Sequence, residues 1–298
     1  MRKTYFSKKG IYHYMKRVKK NIHYYCEGTT QKRYLGKGMV VVVMDSGACE
    51  HPELSGRFLF FRDFIYGKET MYDDNGHGTH VCGIIAGKTI GVAPESKLIV
   101  LKVLDELGNG SVETSLQAFR WVLENREKYN IRIINISMGM KPKTNILRER
   151  QILRGVEVLW DMGIIVVAAA GNQGPNENSI TVPGFNRKII TVGAYDLKYS
   201  GRGAWDKHLE KPDLVAPGYH ILSCNSRWKE NGQSILIHKS GTSMATPIVS
   251  GVIADLLSKE PSVSNERVKE LLYGACDDLK MPNERQGKGM LNVKRLLD

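Results

Sequence analysis

From residue 38 onward the chain alternates short β-branched runs with segments of helical period. Residues 39–44 read MVVVVM and are followed by Asp45-Ser46-Gly47, the pattern of a strand buried on both faces. Residues 97–104, 131–137, 164–170 and 188–193 repeat that pattern. Between them, residues 111–128 place Val112, Leu116, Phe119, Val122 and Leu123 at helical spacing, with Glu113 in the first turn. Further helices are expected over 80–86, 149–161, 242–258 and 266–274. Residues 219–239 carry shorter apolar runs and read as a hairpin excursion. Strands separated by helices imply parallel pairing through right-handed crossovers. Continuous Val/Ile runs imply a sheet covered on both faces. The expected fold class is α/β: a three-layer, mostly parallel, doubly wound sheet over residues 38–298, preceded by an extension, residues 1–37.

Composition narrows the classes. Hydrophobic residues make up 42% and charged residues 25% of the 298, ordinary usage for a globular chain, which argues against wholesale disorder. The longest apolar run, residues 164–170, falls far short of the ~20 that a membrane helix needs, so no membrane span is expected. Five cysteines without a CxxC spacing suggest neither a zinc knuckle nor a redox motif, and free thiols fit a reducing compartment. The basic start lacks the apolar stretch of a secretory signal, and the expected location is the cytoplasm. No cofactor and no metal site are expected.

The formal net charge is +12, and it is concentrated at one end. Residues 1–37 hold eleven Lys/Arg against one acid, Glu27, whereas the remainder holds 32 against 30. Tyr5, Phe6, Tyr12, Tyr14, Tyr24, Tyr25 and Tyr34 interleave with these cations. Nucleic acid, an anionic membrane surface and the body of the protein itself all suit such a segment. The last is expected, because no nucleic-acid module surrounds it. The oligomeric state is not legible.

In a doubly wound sheet, ligands meet the carboxyl ends of the strands. The residues found there are Asp45-Ser46-Gly47, Ser137-Met138-Gly139 and Gly171-Asn172. Two other segments are dense in small and polar residues: NGHGTH, ending at His80, and SGTSMATP, residues 240–247. Taken singly, each has a bland reading. Asp45 suits a turn, Ser243 a helix N-cap, and His77 and His80 packed structural positions. Taken together, they supply one acid, one histidine and one serine at a helix start. Those are the parts of serine acyl transfer, in which a base activates a poor nucleophile, an acid orients the base and fixed donors hold the oxyanion.

The segments VVVVMDSG, NGHGTHVCGIIAG, IINISMG, VVAAAGNQG, KPDLVAPG and SGTSMATPIVSG, in that order, resemble the subtilisin family of serine peptidases over roughly residues 36–298. The acid, histidine, serine order separates that family from other serine hydrolases. The resemblance implies Asp45 as orienting acid, His77 as general base and Ser243 as nucleophile. It implies Asn172, with the Ser243 N–H, as the oxyanion site, Ser46 as a donor to Asp45 and Thr242 at the oxyanion hole. A protein or peptide substrate would lie as an extended strand between Gly108, Asn109, Gly110 and Ser137, Met138, Gly139. Residues 137–139 and 169–171, Ala170 and Gly171 among them, would wall the pocket for the residue before the scissile bond, with Thr181 near its floor. No acid clearly faces that pocket, so an uncharged residue is expected in it. The implied function is serine endopeptidase, with broad turnover and dedicated precursor processing both open. The alternative is a non-catalytic binding protein on the same fold, recruited by its basic arm; a complete triad with Asn172 argues against it.

Two departures from the family pattern stand out. The segment after the histidine helix, residues 86–94, is too short to wrap a calcium ion, which wants 6–8 oxygens, and Glu53 stands where an Asp is usual. The extension is far shorter than a folding pro-domain; it either covers the cleft or packs as an added helix. Cys49 and Cys82 flank the acid and the histidine and read as small buried hydrophobes.

Overall fold

Val40–Asp45 forms β1, and all six of its side chains are buried. It pairs in parallel with β3 (Lys97–Lys102) on one side and with β4 (Ile133–Ile136) on the other, setting Val42 against Ile99 and Ile134. The computed structural model describes residues 18–24, 34–141, 145–204 and 208–298. Beyond β4 the sheet continues through β5 (Ile165–Ala169), β6 (Ile190–Ala194) and β7 (Leu214–Ala216), all parallel. Beyond β3 lies β2 (Phe58–Asp63), which the hydrophobic pattern missed. This edge strand is half-exposed, so its FLFFRD run has neither the alternation nor the continuity of its neighbours.

The chain builds β1, β2 and β3 on one side of the sheet, then crosses β1 to add β4. That reversal opens a crevice at the carboxyl ends of β1 and β4, where Asp45 and Ser137 lie. Helices α1 (His77–Ala86) and α4 (Thr242–Lys259) cover one face, and α2 (Val112–Tyr129) and α3 (Ile146–Asp161) the other. α4 is buried nearly all round, which its run of small and apolar residues permits, with Asp255 as the buried acid within it. A hairpin of β8 (Ile221–Cys224) and β9 (Leu236–Lys239) packs on α1, as its sequence suggested. The chain closes with α5 (Asn265–Gly274), β10 (Cys276–Asp277), α6 (Asn283–Gln286), β11 (Met290–Leu291) and α7 (Val293–Leu297). Among the described residues, no helix is long and apolar enough to cross a membrane.

The short crossing after α1 is closed by protein groups. Both oxygens of Glu53 accept from Thr89, one from its N–H and one from its hydroxyl, each at 2.7 Å. The Glu53 carbonyl accepts from the Lys88 N–H at 2.9 Å.

Of the extension, residues 18–24 and 34–37 are described; Tyr5, Phe6, Tyr12, Tyr14 and Tyr25 lie outside the described residues. Val18, Ile22 and Tyr24 are buried in the core cluster. Lys19 Nζ donates to the Gly91 carbonyl at 2.8 Å, and the Ile22 carbonyl accepts from the N–H of Val293 in α7. The Tyr24 hydroxyl lies 2.6 Å from Asp255 Oδ2 and 2.8 Å from the Val92 carbonyl. Asp255 sits in α4 about 18 Å of helix rise from Ser243. This part of the extension therefore packs as an added turn and does not lie over Ser243.

One hydroxyl proton cannot serve both acceptors. The arrangement is satisfied when Asp255 is protonated, donating to Tyr24 while Tyr24 donates to Val92. Burial favours that form and pushes the Asp255 carboxyl up to about 7 from 3.8, with Tyr24 and Lys19 opposing the shift. The folded state thus binds a proton that the unfolded chain has already lost at neutral pH, and stability falls as pH rises from about 4 to 7. Asp255→Asn should flatten that slope and raise the melting temperature most near and above pH 7. A slope unchanged across this window in thermal melts would remove the assignment.

Candidate functional site

α1 starts at His77, three residues before the periodicity placed it, because its first N–H groups find acceptors from outside the helix. His77 N–H donates to Asn75 Oδ1 at 3.2 Å, Gly78 N–H to Ser46 Oγ at 3.0 Å, and Thr79 N–H to Asp73 Oδ2 at 2.8 Å. These are the orphan donors of a helix start, and Asp73 also places a negative charge at the positive end of the helix. Asp73 Oδ1 takes the Ser46 hydroxyl at 2.9 Å and the Gly76 N–H at 2.7 Å. Ser46 is a donor to Asp45, as expected, but through its backbone; its hydroxyl goes to Asp73. That backbone N–H donates to Asp45 Oδ1 at 2.8 Å. The helix also needs glycine at Gly78, where a Cβ would stand 2.1 Å from the Gly47 carbonyl oxygen and 3.1 Å from the Asp45 Cβ.

That close approach brings His77 Nδ1 to 2.7 Å from Asp45 Oδ1. Asp45 is fully buried, and its Oδ2 has no partner among the described residues. Burial opposes a charged imidazole, yet the Asp45 carboxylate and its hydrogen bond outweigh this and hold His77 above its ordinary 6.5. Lys239 pulls it down and Asp73 up. The arrangement fixes Nδ1 as the protonated nitrogen and leaves Nε2 for a proton from elsewhere. His80, one turn on, is buried, and its Nε2 donates to the Ile221 and Ile237 carbonyls, both at 3.1 Å. Burial lowers it to about 3, so it stays neutral and ties α1 to the hairpin.

Ser243 sits half-buried in the first turn of α4, where its N–H has no carbonyl one turn back. Pro247 lies one turn on and has no N–H to give the Ser243 carbonyl. The Ser137 hydroxyl takes that place at 3.1 Å, and Asn135 Nδ2 in turn donates to Ser137 Oγ at 2.9 Å. The Ser243 hydroxyl donates to the Ser137 carbonyl at 2.9 Å, so a proton transfer to His77 requires it to leave that carbonyl.

Asn172 is exposed at the end of β5. Its Oδ1 accepts from the Thr242 N–H at 3.0 Å and the Thr242 hydroxyl at 3.2 Å. This fixes the amide so that Nδ2 faces away from Thr242, with no partner among the described residues. Nδ2 lies 3.2 Å from where a Cβ on Gly241 would stand, beside the start of α4. Thr242 therefore orients the Asn172 amide.

The two edges proposed for a substrate are present as loops. Gly108, Asn109 and Gly110 are exposed, and Gly110 bridges back to Leu104. Asn109 uses its N–H on Asp105 Oδ1 at 2.8 Å, and its carbonyl accepts from the Asp105 N–H at 2.8 Å. It shapes the loop, leaving Gly108 and Gly110 as the sites of close backbone approach. On the facing edge Ser137 is buried, Met138 half-buried and Gly139 exposed. Ala170 has its N–H on the Val192 carbonyl and its carbonyl on the Thr181 N–H. Thr181 packs between Gly139 and Gly171; a Cβ on either would meet its side chain at 2.3 or 2.5 Å. A pocket of ≈ 140 Å³ opens between the two edges, lined by Leu104, Val112, Phe119, Met138, Ile152 and Val182 among others.

Three further contributors escaped the sequence reading. Asp73 lies three residues before the N-cap Gly76 and accepts the Thr79 N–H in place of a capping side chain, a spacing that carries no ordinary N-cap signature. Lys102 is wholly buried and donates to the Ser46 carbonyl at 2.7 Å, the Leu104 carbonyl at 2.9 Å and Asp74 Oδ1 at 2.7 Å. It pins the acid loop and the substrate edge together from behind. Lys239 donates to the Gly76 carbonyl at 3.0 Å. Neither lysine has a local signature, since Ser46, Asp74 and Gly76, which hold them to the site, are distant along the chain.

An acid, a histidine and a helix-start serine in this chain order, on a doubly wound parallel sheet, form the subtilisin arrangement. The chain belongs to the subtilase family, whose peptidase S8 model matches residues 36–289. It is 37% identical to serine protease AprX of Bacillus subtilis (strain 168), the match covering 87% of this chain and 66% of that protein. It is 33% identical to M-protease of Shouchella clausii (strain KSM-K16), over 87% of this chain and 64% of that protein. The chain thus spans slightly under two thirds of these two relatives. Among solved structures it resembles Sphericase, with a TM-score of 0.79 and 26% identity, over 93% of this chain and 97% of that one.

The geometry carries a pH prediction. His77 must be neutral to accept a proton, so kcat/KM towards a peptide should rise with pH through one ionisation lying above 6.5. Asp73→Asn removes a negative charge beside it and should move that midpoint down. A midpoint that stays in place, in a variant that melts as the parent does, would show that Asp73 does not act on His77.

Proposed function

We propose that this chain is a serine endopeptidase that hydrolyses internal peptide bonds. The observation that carries the reading is the 2.7 Å contact between His77 and buried Asp45, joined to a donor set, Asn172 Nδ2 and the Ser243 N–H, at the start of α4. Ser243 Oγ attacks the scissile carbonyl and passes its proton to His77 Nε2. The oxygen that becomes negative takes hydrogen bonds from Asn172 and the Ser243 N–H. His77 then protonates the leaving amine, and the acyl-enzyme remains. Water repeats the sequence with His77 as base and frees Ser243. Asp45 holds the tautomer and stabilises the imidazolium. The binding-protein alternative needs a missing part, and the acid, base, nucleophile and oxyanion donor are all present.

The substrate runs as an extended strand along Gly108, Gly110 and Gly139, with the residue before the scissile bond against Ser137, Met138, Ala170, Gly171 and Thr181. None of these lining side chains is ionisable, which supports an uncharged residue there. The apolar pocket lies under the same strand, upstream of the scissile bond, and suits a large aliphatic or aromatic side chain. The described cysteines are free thiols, which supports a reducing compartment, the cytoplasm. Broad turnover and dedicated processing both fit this cleft.

Two experiments test the reading. Ser243→Ala should melt as the parent does and lose cleavage of a proteome-derived peptide library, read by mass spectrometry. Asn172→Ala should keep substrate affinity and lower kcat by about 10²–10³, the loss familiar for this donor in the family. Full activity in Ser243→Ala would end the assignment. For the upstream pocket, replacing a Phe by Ala at the substrate position that enters it should reduce kcat/KM by about tenfold to a hundredfold, from the ~1.5–3 kcal/mol of a buried large side chain. Val112→Trp, which fills the pocket, should erase that preference.

A further inference from the structure

The loop before α1 is flanked by two surfaces of opposite charge. On one side, Asn75 Nδ2 donates to the Glu106 carbonyl at 3.0 Å and lies 3.5 Å from where a Cβ on Gly108 would stand. That is the upstream edge of the cleft, and its rim is acidic. Asp105 Oδ1 accepts the N–H groups of Leu107 and Asn109, and Glu106 Oε2 accepts the Tyr66 hydroxyl at 2.7 Å. On the other side, Gly76 meets the hairpin. Its carbonyl accepts from Lys239 Nζ at 3.0 Å, and a Cβ on it would stand 2.4 Å from Ser226 Oγ. His77 lies between these sides. By the substrate path proposed above, a strand whose acyl half follows Gly108 and Gly110 continues beyond His77 on the side of Lys239.

Lys239 is suited to a ligand. It is half-buried, and its amine has three N–H groups, of which Gly76 takes one. The nearest acid, Asp73, is turned inward: its two oxygens already accept from Ser46 Oγ, Gly76 N–H, Thr79 N–H and Thr79 Oγ1. Arg227, exposed between β8 and β9, adds a second positive charge close enough to act on Lys239. Lys229, on the same loop, is within 3.8 Å of Glu50 and is partly neutralised.

We propose that Lys239, backed by Arg227, is a carboxylate-binding subsite for the first two residues of the leaving segment, so that the enzyme cuts fastest ahead of an acidic residue. The inference rests on the peptidase reading above. It makes Lys239 a specificity-determining residue that touches substrate and takes no part in the proton transfers. The carboxylate is that of an Asp or Glu side chain or of a free C-terminus close behind the scissile bond.

The test is a set of quenched fluorescent peptides with one common acyl half. The second leaving residue is Glu, Gln or Lys, each with an amidated end, and a fourth peptide ends at Gln with a free carboxylate. kcat/KM is measured for the parent protein, Lys239→Met and Lys239→Arg. Glu should exceed Lys by about tenfold in the parent at low salt, shrinking at high salt as a partly exposed charge contact does. The ratio should fall towards one in Lys239→Met and persist in Lys239→Arg. Because it is taken within one protein, it does not depend on how much of a variant folds. If Lys239→Met yields no folded protein, the salt dependence of the parent's ratio decides: a ratio indifferent to salt overturns the subsite. A gain with amidated Glu assigns the side chain as the carboxylate, and a gain only with the free end assigns the terminus. Equal constants for Glu, Gln and Lys, with no gain from the free end, overturn the inference and leave the peptidase reading standing. No cleavage of any peptide removes both.

Discussion

Asp45 is a carboxylate with no access to solvent, set at the end of a strand buried on both faces. A buried charge of this kind is costly unless donors are already in place, because water cannot supply them. Here the donors come from chain segments that must themselves be held. The Ser46 N–H is fixed by a loop whose carbonyl Lys102 grips from behind, and the His77 ring is carried by a helix whose first turn Asp73 caps. Loss of either anchor would leave the acid buried without its partners. The position of the histidine, and with it the protonation state that catalysis needs, follows from solving this one problem.

The nucleophile is held by a different economy. The proline in the first turns of α4 removes a helical donor, and the serine ending β4 supplies a substitute. A defect in one helix thus couples its catalytic end to the sheet. The same serine's carbonyl engages the Ser243 hydroxyl in the absence of substrate. Asn172 is held by Thr242, the residue before Ser243, so the two donors proposed for the oxyanion are set by neighbours on one helix start. Donors arranged before the reaction need no reorganisation during it, which is the main contribution a fold makes to acyl transfer.

The far end of α4 has a separate role. Tyr24, Lys19 and Ile22 dock a piece of the basic extension where the helix meets the crossing after α1 and the last helix of the chain. Part of the positive excess at the start of the chain therefore lies against the body of the protein.

Much of the architecture was legible in the sequence, because it follows from local pattern. The β-branched runs of 39–44 and 164–170 can only be strands covered on both faces, and the spacing of 111–128 can only be an amphipathic helix. Asp45, His77, Asn172 and Ser243 were legible as candidates, as residue types at strand ends and helix starts, and the family resemblance proposed their roles. What only the tertiary structure decided is everything that joins residues without a shared period. Asp73 takes the Ser46 hydroxyl, Lys102 bridges the acid loop to the substrate edge, Thr181 fills the space between Gly139 and Gly171, and Lys239 reaches the loop before His77 from a distant hairpin. Hydrophobic period reports which face of an element is buried, because burial averages over many residues. A single hydrogen bond between remote side chains leaves no such average, and it exists only once the sheet has brought its ends together.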